Sequence, residues 1–286
     1  MYKEMDLCFF VSDLHGHKSR YEKLFNAIVE HKPYVLFLGG DLLPSFGSDE
    51  FNELDFVNDY FAGRLMEIKE RLKKAYPKIF VILGNDDPRI KEQQFIEAEK
   101  KGVWEYIHFR KVKYKGFDIY GYSYIPPSPF LFKDWEKYDV SCYVDPGCVH
   151  PTEGYRSVKP IEDISLTNIS EDLEKLTGKE DLSKSVFLFH SPPYKTYLDR
   201  AALDGKMIDH VPFDVHVGSI AIQRFIEKRQ PYLTLHGHIH ESSRLTGHWH
   251  QRINKTYACS AAYDGPELAL ISFYLQDLSS AKRCIL

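Results

Sequence analysis

Apolar positions run through the first hundred residues in two alternating rhythms. Short unbroken runs, Leu7–Ser12, Tyr34–Leu38 and Ile79–Leu83, read as strands buried on both faces. Between them apolar residues recur at helical spacing. Ser19–Glu30 predicts a helix, Glu50–Ala75 one or two helices, and Glu92–Lys101 another. Phe61, Leu65, Ile68 and Leu72 mark one face of the second stretch, and Pro77 stops it. Strand–helix–strand alternation points to an α/β fold with helices covering a sheet.

One more strand is expected at residues 116–124 (GFDIYGYSY), and then the rhythm breaks. From about 125 to 181 the chain is rich in proline, aromatic residues and turn formers (IPPSPFLFKDWEKYD, DPGCVHPTEGY). So many Tyr, Phe and Trp residues argue against a solvated linker and for an insertion or lid beside a site. Regular elements resume with Val186–Phe189 as a strand, Ser219–Lys228 as a helix and Tyr232–Leu235 as a strand. The closing stretches NKTYACSA and LALISFYLQ read as hairpin material forming a second sheet. No internal repeat interrupts this order, and residues 1–286 are expected to form one domain.

Composition narrows the class without naming it. The 286 residues are 43% hydrophobic and 27% charged, with a formal net charge of −4. Such a chain has no global pull toward nucleic acid or an anionic membrane, and its apolar runs are too short to span a bilayer. The first apolar run leads straight into Ser12-Asp13, so no cleavable leader is expected. Five cysteines, at 8, 142, 148, 259 and 284, include no C-x-x-C pair. That usage suits free thiols in a reducing compartment, with the cytoplasm as the expected location.

The chemistry collects where strands end. FFVSDLHGH delivers Asp13 and His15, VLFLGGD delivers Asp41, and VILGND delivers Asn85. VFLFHSPP adds His190, and YLTLHGHIHES adds His238 and His240 after His236. If these ends are extended, residues i and i+2 point the same way, which makes Asp13/His15 and His238/His240 ligand pairs. Glycines 39, 40, 84 and 237 let the backbone turn where the ligands begin. Each piece alone fits an ordinary strand end. Five in series do not. The donors are imidazoles, carboxylates and an amide without thiolate, which suits two divalent ions among Mn, Fe, Co, Ni and Zn. A shared carboxylate would hold the ions about 3.5–4 Å apart.

Asp13-Leu-His15, Gly40-Asp41, Gly84-Asn85-Asp86-Asp87, His190 and Gly237-His238-Ile239-His240 together resemble the ordered motifs of the calcineurin-like metallophosphoesterases. DLHGH, HSPPY and HGHIHES look like the Icc-related branch of that family. The resemblance implies a four-layer α/β/β/α sandwich. It implies one metal on Asp13, His15, Asp41 and His240, and a second on Asp41, Asn85, His190 and His238. Manganese is favoured, and Asp41 bridges. The expected reaction is attack of a metal-bridging hydroxide on a phosphodiester or phosphomonoester, with a small phosphorylated compound as substrate.

The chain departs from that pattern at one position. Asp86 stands where the family has a histidine that stabilises the transition state or protonates the leaving oxygen. A carboxylate beside two cations stays ionised and makes a poor acid. Asp86 acts in a protonated form, or another group such as His17, His216 or Lys195 supplies the proton, or the substrate has a leaving group that needs none. The last is preferred. Arg89, Lys195 and Arg200 are candidate phosphate contacts, and His216-Val217-Gly218-Ser219 offers backbone N–H groups ahead of a helix. The rivals are a non-catalytic metal-binding module of the same fold and a nuclease. RKVKYK, the best basic run, alternates like the wet face of a strand, so nucleic acid is not the expected partner.

Overall fold

The computed structural model describes residues 5–48, 55–208 and 210–286. Two six-stranded sheets form its centre. The first carries β1 (Leu7–Val11), β2 (Val35–Gly39), β3 (Lys78–Ile82) and β4 (Glu105–Tyr106), all parallel. The second carries β5 (Arg110–Tyr114), β6 (Phe117–Tyr122) and β7 (Ser185–Phe189). A separate short hairpin, β8 (Met207–Ile208) and β9 (Val211–Pro212), stands apart from both. β10 (Leu233–His236), β11 (His250–Ile253) and β12 (Thr256–Ser260) complete the second sheet, in the order β11-β12-β10-β7-β6-β5. β13 (Ala269–Tyr274) and β14 (Asp277–Ile285) close the first sheet, in the order β14-β13-β1-β2-β3-β4.

The central strands are apolar on both sides because they face two different cores. Cys8, Phe10, Val35, Phe37, Phe80 and Ile82 point between the sheets and meet Ile119, Val186, Leu188, Leu233 and Leu235. Their neighbours Phe9, Val11, Leu36, Leu38, Ile79 and Val81 point outward to the helices. α1 (Lys18–His31), α2 (Gly63–Leu72) and α3 (Glu92–Lys100) bury Leu24, Ile28, Leu65, Ile68 and Phe95 in that outer core. α4 (Ile169–Thr177) and α5 (Ile220–Arg229) supply Ile169, Leu173, Ile222 and Phe225. The Phe225 ring meets Phe187 of β7 edge-on at 5.1 Å. The α/β/β/α layering follows directly from period-two alternation in doubly buried strands. Among the described residues no helix is long and apolar enough to cross a membrane.

Three segments differ from the sequence reading. The expected helix from Glu50 begins partly outside the described residues; from Phe56 to Ala62 it is a π-helical turn that runs into α2. The two closing stretches do not share a sheet. β12 lies parallel to β10, whereas β13 crosses to the first sheet and pairs antiparallel with β1. Both strands are apolar enough to enter either sheet, and the eight residues between them easily span the roughly 10 Å between packed sheets. Residues 125–181 hold a helix that the sequence pattern did not mark. Their last part forms α4, and Trp135 is fully buried with its indole N–H donating to the Asp87 carbonyl at 2.7 Å. Asp139 reaches across to cap α5, accepting from Ser219 Oγ (2.5 Å) and the Ile220 N–H (2.6 Å). The basic run RKVKYK is the edge strand β5, with Arg110 on Glu99 and Lys111 on Asp118 and Glu180. Charged pairs of this kind blunt an exposed edge.

Phe37 stacks between Phe80 (5.7 Å) and Phe273 (6.3 Å) at the middle of the inter-sheet core. Phe37→Ala should cost about 3–5 kcal/mol in urea unfolding; a loss below about 1 kcal/mol would contradict the packing described here.

Candidate metal centre

Every ligand-bearing loop leaves the C-terminal end of a parallel strand, where the two sheets meet. β1, β2 and β3 lie side by side in one sheet, and β7 and β10 side by side in the other. Their five loops converge from opposite sheets, the usual location for a site in an open parallel sheet. Asp13, His15, Asp41 and His240 present donor atoms that all lie within 4.8 Å of one another. Asp41, His190 and His238 form a second such group, so one carboxylate serves both. Asn85 joins the second group, with Oδ1 3.0 Å from His190 Nε2.

The local reason for this convergence is not strand alternation, as the sequence spacing suggests. Asp13, His15, Asp41 and His238 have φ of 58°, 47°, 53° and 73°, the left-handed region that residues other than Gly enter uncommonly, Asn, Asp and His most often among them. Strain of that kind persists only where the surroundings over-determine it. Here a backbone ladder does so: Asp13 N–H donates to the Gly40 carbonyl (2.9 Å), His15 N–H to Asp41 (2.8 Å) and Gly16 N–H to Leu42 (2.9 Å). Gly84 has to be glycine for another reason. A Cβ there would press on Asp41 and lie 2.6 Å from His190 Cε1.

Each donor is aimed by a second contact. His190 Nδ1 lies 2.8 Å from the Gly39 carbonyl, so that nitrogen donates and Nε2 is turned toward the site. Asp13 accepts from Ser12 Oγ and from the His238 N–H at 2.9 Å. Asp41 Oδ1 accepts from the Asp86 N–H at 2.8 Å, while Oδ2 faces His190 Nε2 at 3.2 Å and His15 Nε2 at 3.8 Å. Arg20, buried in the first turn of α1, donates to the Asp13 carbonyl at 2.7 Å and the Gly265 carbonyl at 2.6 Å.

The set fits cations. His15 Nε2 and His240 Nε2 face each other at 3.1 Å, close enough to share a proton or to turn together onto one cation. Burial lowers the affinity of His15 and His190 for a proton, yet nearby carboxylates, Asp86 and Asp41 for His15 and chiefly Asp41 for His190, raise both to about 9. Burial likewise raises the Asp13 carboxyl, and the facing His240 more than offsets it, holding Asp13 well below the usual carboxylate range. His238 is driven the other way, to about 3, by burial and by the charge on His190. Such a site exchanges protons for metal.

A profile of calcineurin-like phosphoesterases matches residues 8–242, which contain every one of these donors. The chain belongs to that family. Two crystal structures, one of them TT1561 of Thermus thermophilus, align over 99% of both chains. Their identities are 17% and 14% and their TM-scores 0.57 and 0.56, a likeness of fold. A dimetal phosphatase from Danio rerio aligns over 95% of this chain and 93% of its own at 9% identity, with a TM-score of 0.49. No protein of curated function matches the sequence.

The remaining residues singled out in the sequence are distributed unevenly. His17 lines a cleft of about 380 Å³ with His15, His240, Arg20, Pro44, Ser45, Ser48, Tyr263 and Asp264. Asp86 is at the site and points its carboxylate at His15 Nδ1, 3.3 Å away. Arg89 is engaged elsewhere, with Glu92 (3.1 Å), the Tyr124 hydroxyl (3.0 Å) and the face of Trp135 (5.0 Å). His216 Nδ1 lies 2.8 Å from buried Asp199. The N–H groups of residues 216 to 219 all meet internal acceptors, on Asp214, Asp199 and Pro192, which leaves none of them for an anion. Lys195 lies over the Tyr194 ring at 5.3 Å, and Arg200 pairs with Asp204 at 2.5 Å.

Asp87 was visible in GNDD without a role. It is fully buried, and its carboxylate accepts from the N–H groups of Leu42 (2.8 Å), Leu43 (2.7 Å) and Gly84 (2.9 Å). It therefore ties the Asp41 loop to the Asn85 loop. Arg20 gave no signal, because an arginine in a first helical turn looks like surface. Asp87→Ala leaves three buried N–H groups unpaired and should cost about 3–5 kcal/mol. Urea unfolding checks this; a loss under about 1 kcal/mol would show that the loops hold without it.

Proposed function

We propose that this chain is a phosphoester hydrolase that works with two divalent ions, manganese foremost, on a small phosphodiester or phosphomonoester. The observation that carries the reading is Asp41, a buried carboxylate common to two ligand sets drawn from opposite sheets. Asp13, His15, Asp41 and His240 would hold one ion, and Asp41, Asn85, His190 and His238 the other. Bound there, two divalent ions offset charge on phosphoryl oxygens and furnish a nucleophile from water near neutral pH. The unpaired state of all five cysteines accords with a reducing, cytoplasmic setting.

The chain's own residues orient and seal. The carbonyl of Gly39 keeps the His190 proton on Nδ1, and the Asp86 N–H steadies the bridging carboxylate. Asp86 does a second job in this reading. Its side chain takes the Nδ1 proton of His15, which turns Nε2 toward the site and makes it a better donor. In this reading Asp86 holds a ligand rather than protonating a leaving group, and its contact with His15 supports that role. His17, in the same cleft as His15 and His240, is the imidazole placed to donate a proton where the leaving oxygen needs one. A substrate with a stabilised leaving group needs no such donor. A complete ligand set favours catalysis over a scaffold that has kept the fold alone.

Metal-stripped protein should hydrolyse bis-p-nitrophenyl phosphate or p-nitrophenyl phosphate only after Mn²⁺ is added, and the preferred compound separates diesterase from monoesterase. No turnover of either by protein with Mn²⁺ bound would move the reading to a binding module. Asp86→Ala should weaken Mn²⁺ binding about 10–100-fold in calorimetric titration. Undiminished affinity, with turnover lost on alkyl esters alone, would make Asp86 an acid instead.

A further inference from the structure

Beside His15 and His240 the cleft is lined by a phenol, Tyr263, on the loop between β12 and β13. The fold holds its ring and leaves its hydroxyl alone. The Arg283 guanidinium lies 5.3 Å from the ring centroid. Gly265 lies against the far end of the ring, where a Cβ would come within 2.6 Å of Tyr263 Cζ. Among the described residues the hydroxyl meets no donor or acceptor, and it is open to solvent. Tyr263 is also the only residue of the loop, AAYDGPEL from 261 to 268, whose side chain carries a hydrogen-bond donor.

Three arginines clamp that loop. Arg283 of β14 donates from Nη2 to the Ala262 carbonyl at 2.7 Å. Arg20 of α1 donates to the carbonyls of Gly265 (2.6 Å) and Asp13 (2.7 Å), which ties the loop directly to a metal-site residue. Arg244, four residues past His240, donates to Asp264 Oδ2 at 2.6 Å and offsets the one carboxylate that the loop brings to the cleft. The Ala261 N–H donates to the His236 carbonyl at 3.1 Å, so the loop starts in register with the ligand-bearing end of β10. A side chain fixed before its ligand arrives loses little conformational freedom on binding.

We propose that the Tyr263 hydroxyl donates a hydrogen bond to a phosphoryl oxygen of the ester bound at the metal centre. The inference rests on the phosphoesterase reading above and adds a substrate contact to it. His15 and His240 belong to one metal set and line the same cleft as Tyr263, so an ester held on that set lies in the cleft with the phenol. Phosphoryl oxygens are charged acceptors, and hydrogen bonds to charged acceptors are roughly twice as strong as neutral ones. The same oxygens are present in the bound ester and when it is attacked. The contact therefore acts on binding, and its loss raises KM more than it lowers kcat.

The test is Tyr263→Phe, which removes the hydroxyl and keeps the ring that packs on Arg283 and Gly265. With Mn²⁺-loaded protein, kcat/KM should fall about 10–100-fold, chiefly through KM. The fall should be the same for p-nitrophenyl and phenyl esters, which differ in their leaving groups and share their phosphoryl oxygens. Mn²⁺ affinity by calorimetry and stability in urea should match the wild type. An unchanged kcat/KM overturns the contact. A fall confined to the phenyl ester also overturns it, by placing the hydroxyl on the leaving oxygen. So does a fall accompanied by weaker Mn²⁺ binding, which would make Tyr263 a support for the metal loops. Absence of turnover by the wild type overturns the phosphoesterase reading instead. The contact is then decided by titrating Mn²⁺-loaded protein with inorganic phosphate in the calorimeter. Weaker binding to Tyr263→Phe sustains it; equal binding, or none to either protein, overturns it.

Discussion

A carboxylate with 2% of its surface exposed, as Asp41 is, stays ionised only if positive charge is brought to it. Much of this molecule can be understood from that requirement. Positive charge comes from one sheet through His15 and from the other through His190, at 3.8 and 3.2 Å from the same oxygen. The second oxygen is met by a backbone N–H from the Asn85 loop. No single strand end could supply all three, so the site exists only where two sheets end together. Gly84 lacks a side chain because Asp41 and His190 already fill the space beside it.

That requirement fixes what the core must do. Loops carrying charge from opposite sheets keep ångström registration only if the sheets themselves do not slide. The inter-sheet layer supplies the rigidity, with Phe37, Phe80 and Phe273 stacked directly behind the ligand loops of β2 and β3. Ladder bonds between residues 13–16 and 40–42 then carry registration from the strands into the loops. Asp87 extends it to the third loop by a buried carboxylate, and Trp135 holds Asp87 in turn through its carbonyl. The inserted segment is thus tied to the metal loops. It does not hover over them.

The doubly buried strands and most helices were legible because their apolar period reports packing on both faces, as at Phe9/Phe10 and Val186/Phe187. The donor set was legible because its residue types recur at five strand ends. What stayed hidden depends on conformation or on distant partners. Alternation along an extended chain suggested the pairs Asp13/His15 and His238/His240, yet left-handed turns bring them together. The allotment of β12 and β13 to different sheets is decided by tertiary pairing, which two similar apolar runs do not encode. Asp139 capping a helix eighty residues downstream, and Arg89 engaged by Glu92 and Tyr124, likewise have no local signature.

Asp86 brings these threads together. Its backbone serves Asp41 and its side chain serves His15, so one residue steadies the bridging carboxylate and a ligand of the first set. An imidazole at this position would bring no negative charge to face His15 and, on the reading proposed above, two cations. An aspartate supplies that charge and, on the same reading, strengthens the grip on metal at the expense of a proton donor. On the reading proposed above, a centre so tuned is suited to esters whose leaving oxygen is already stabilised.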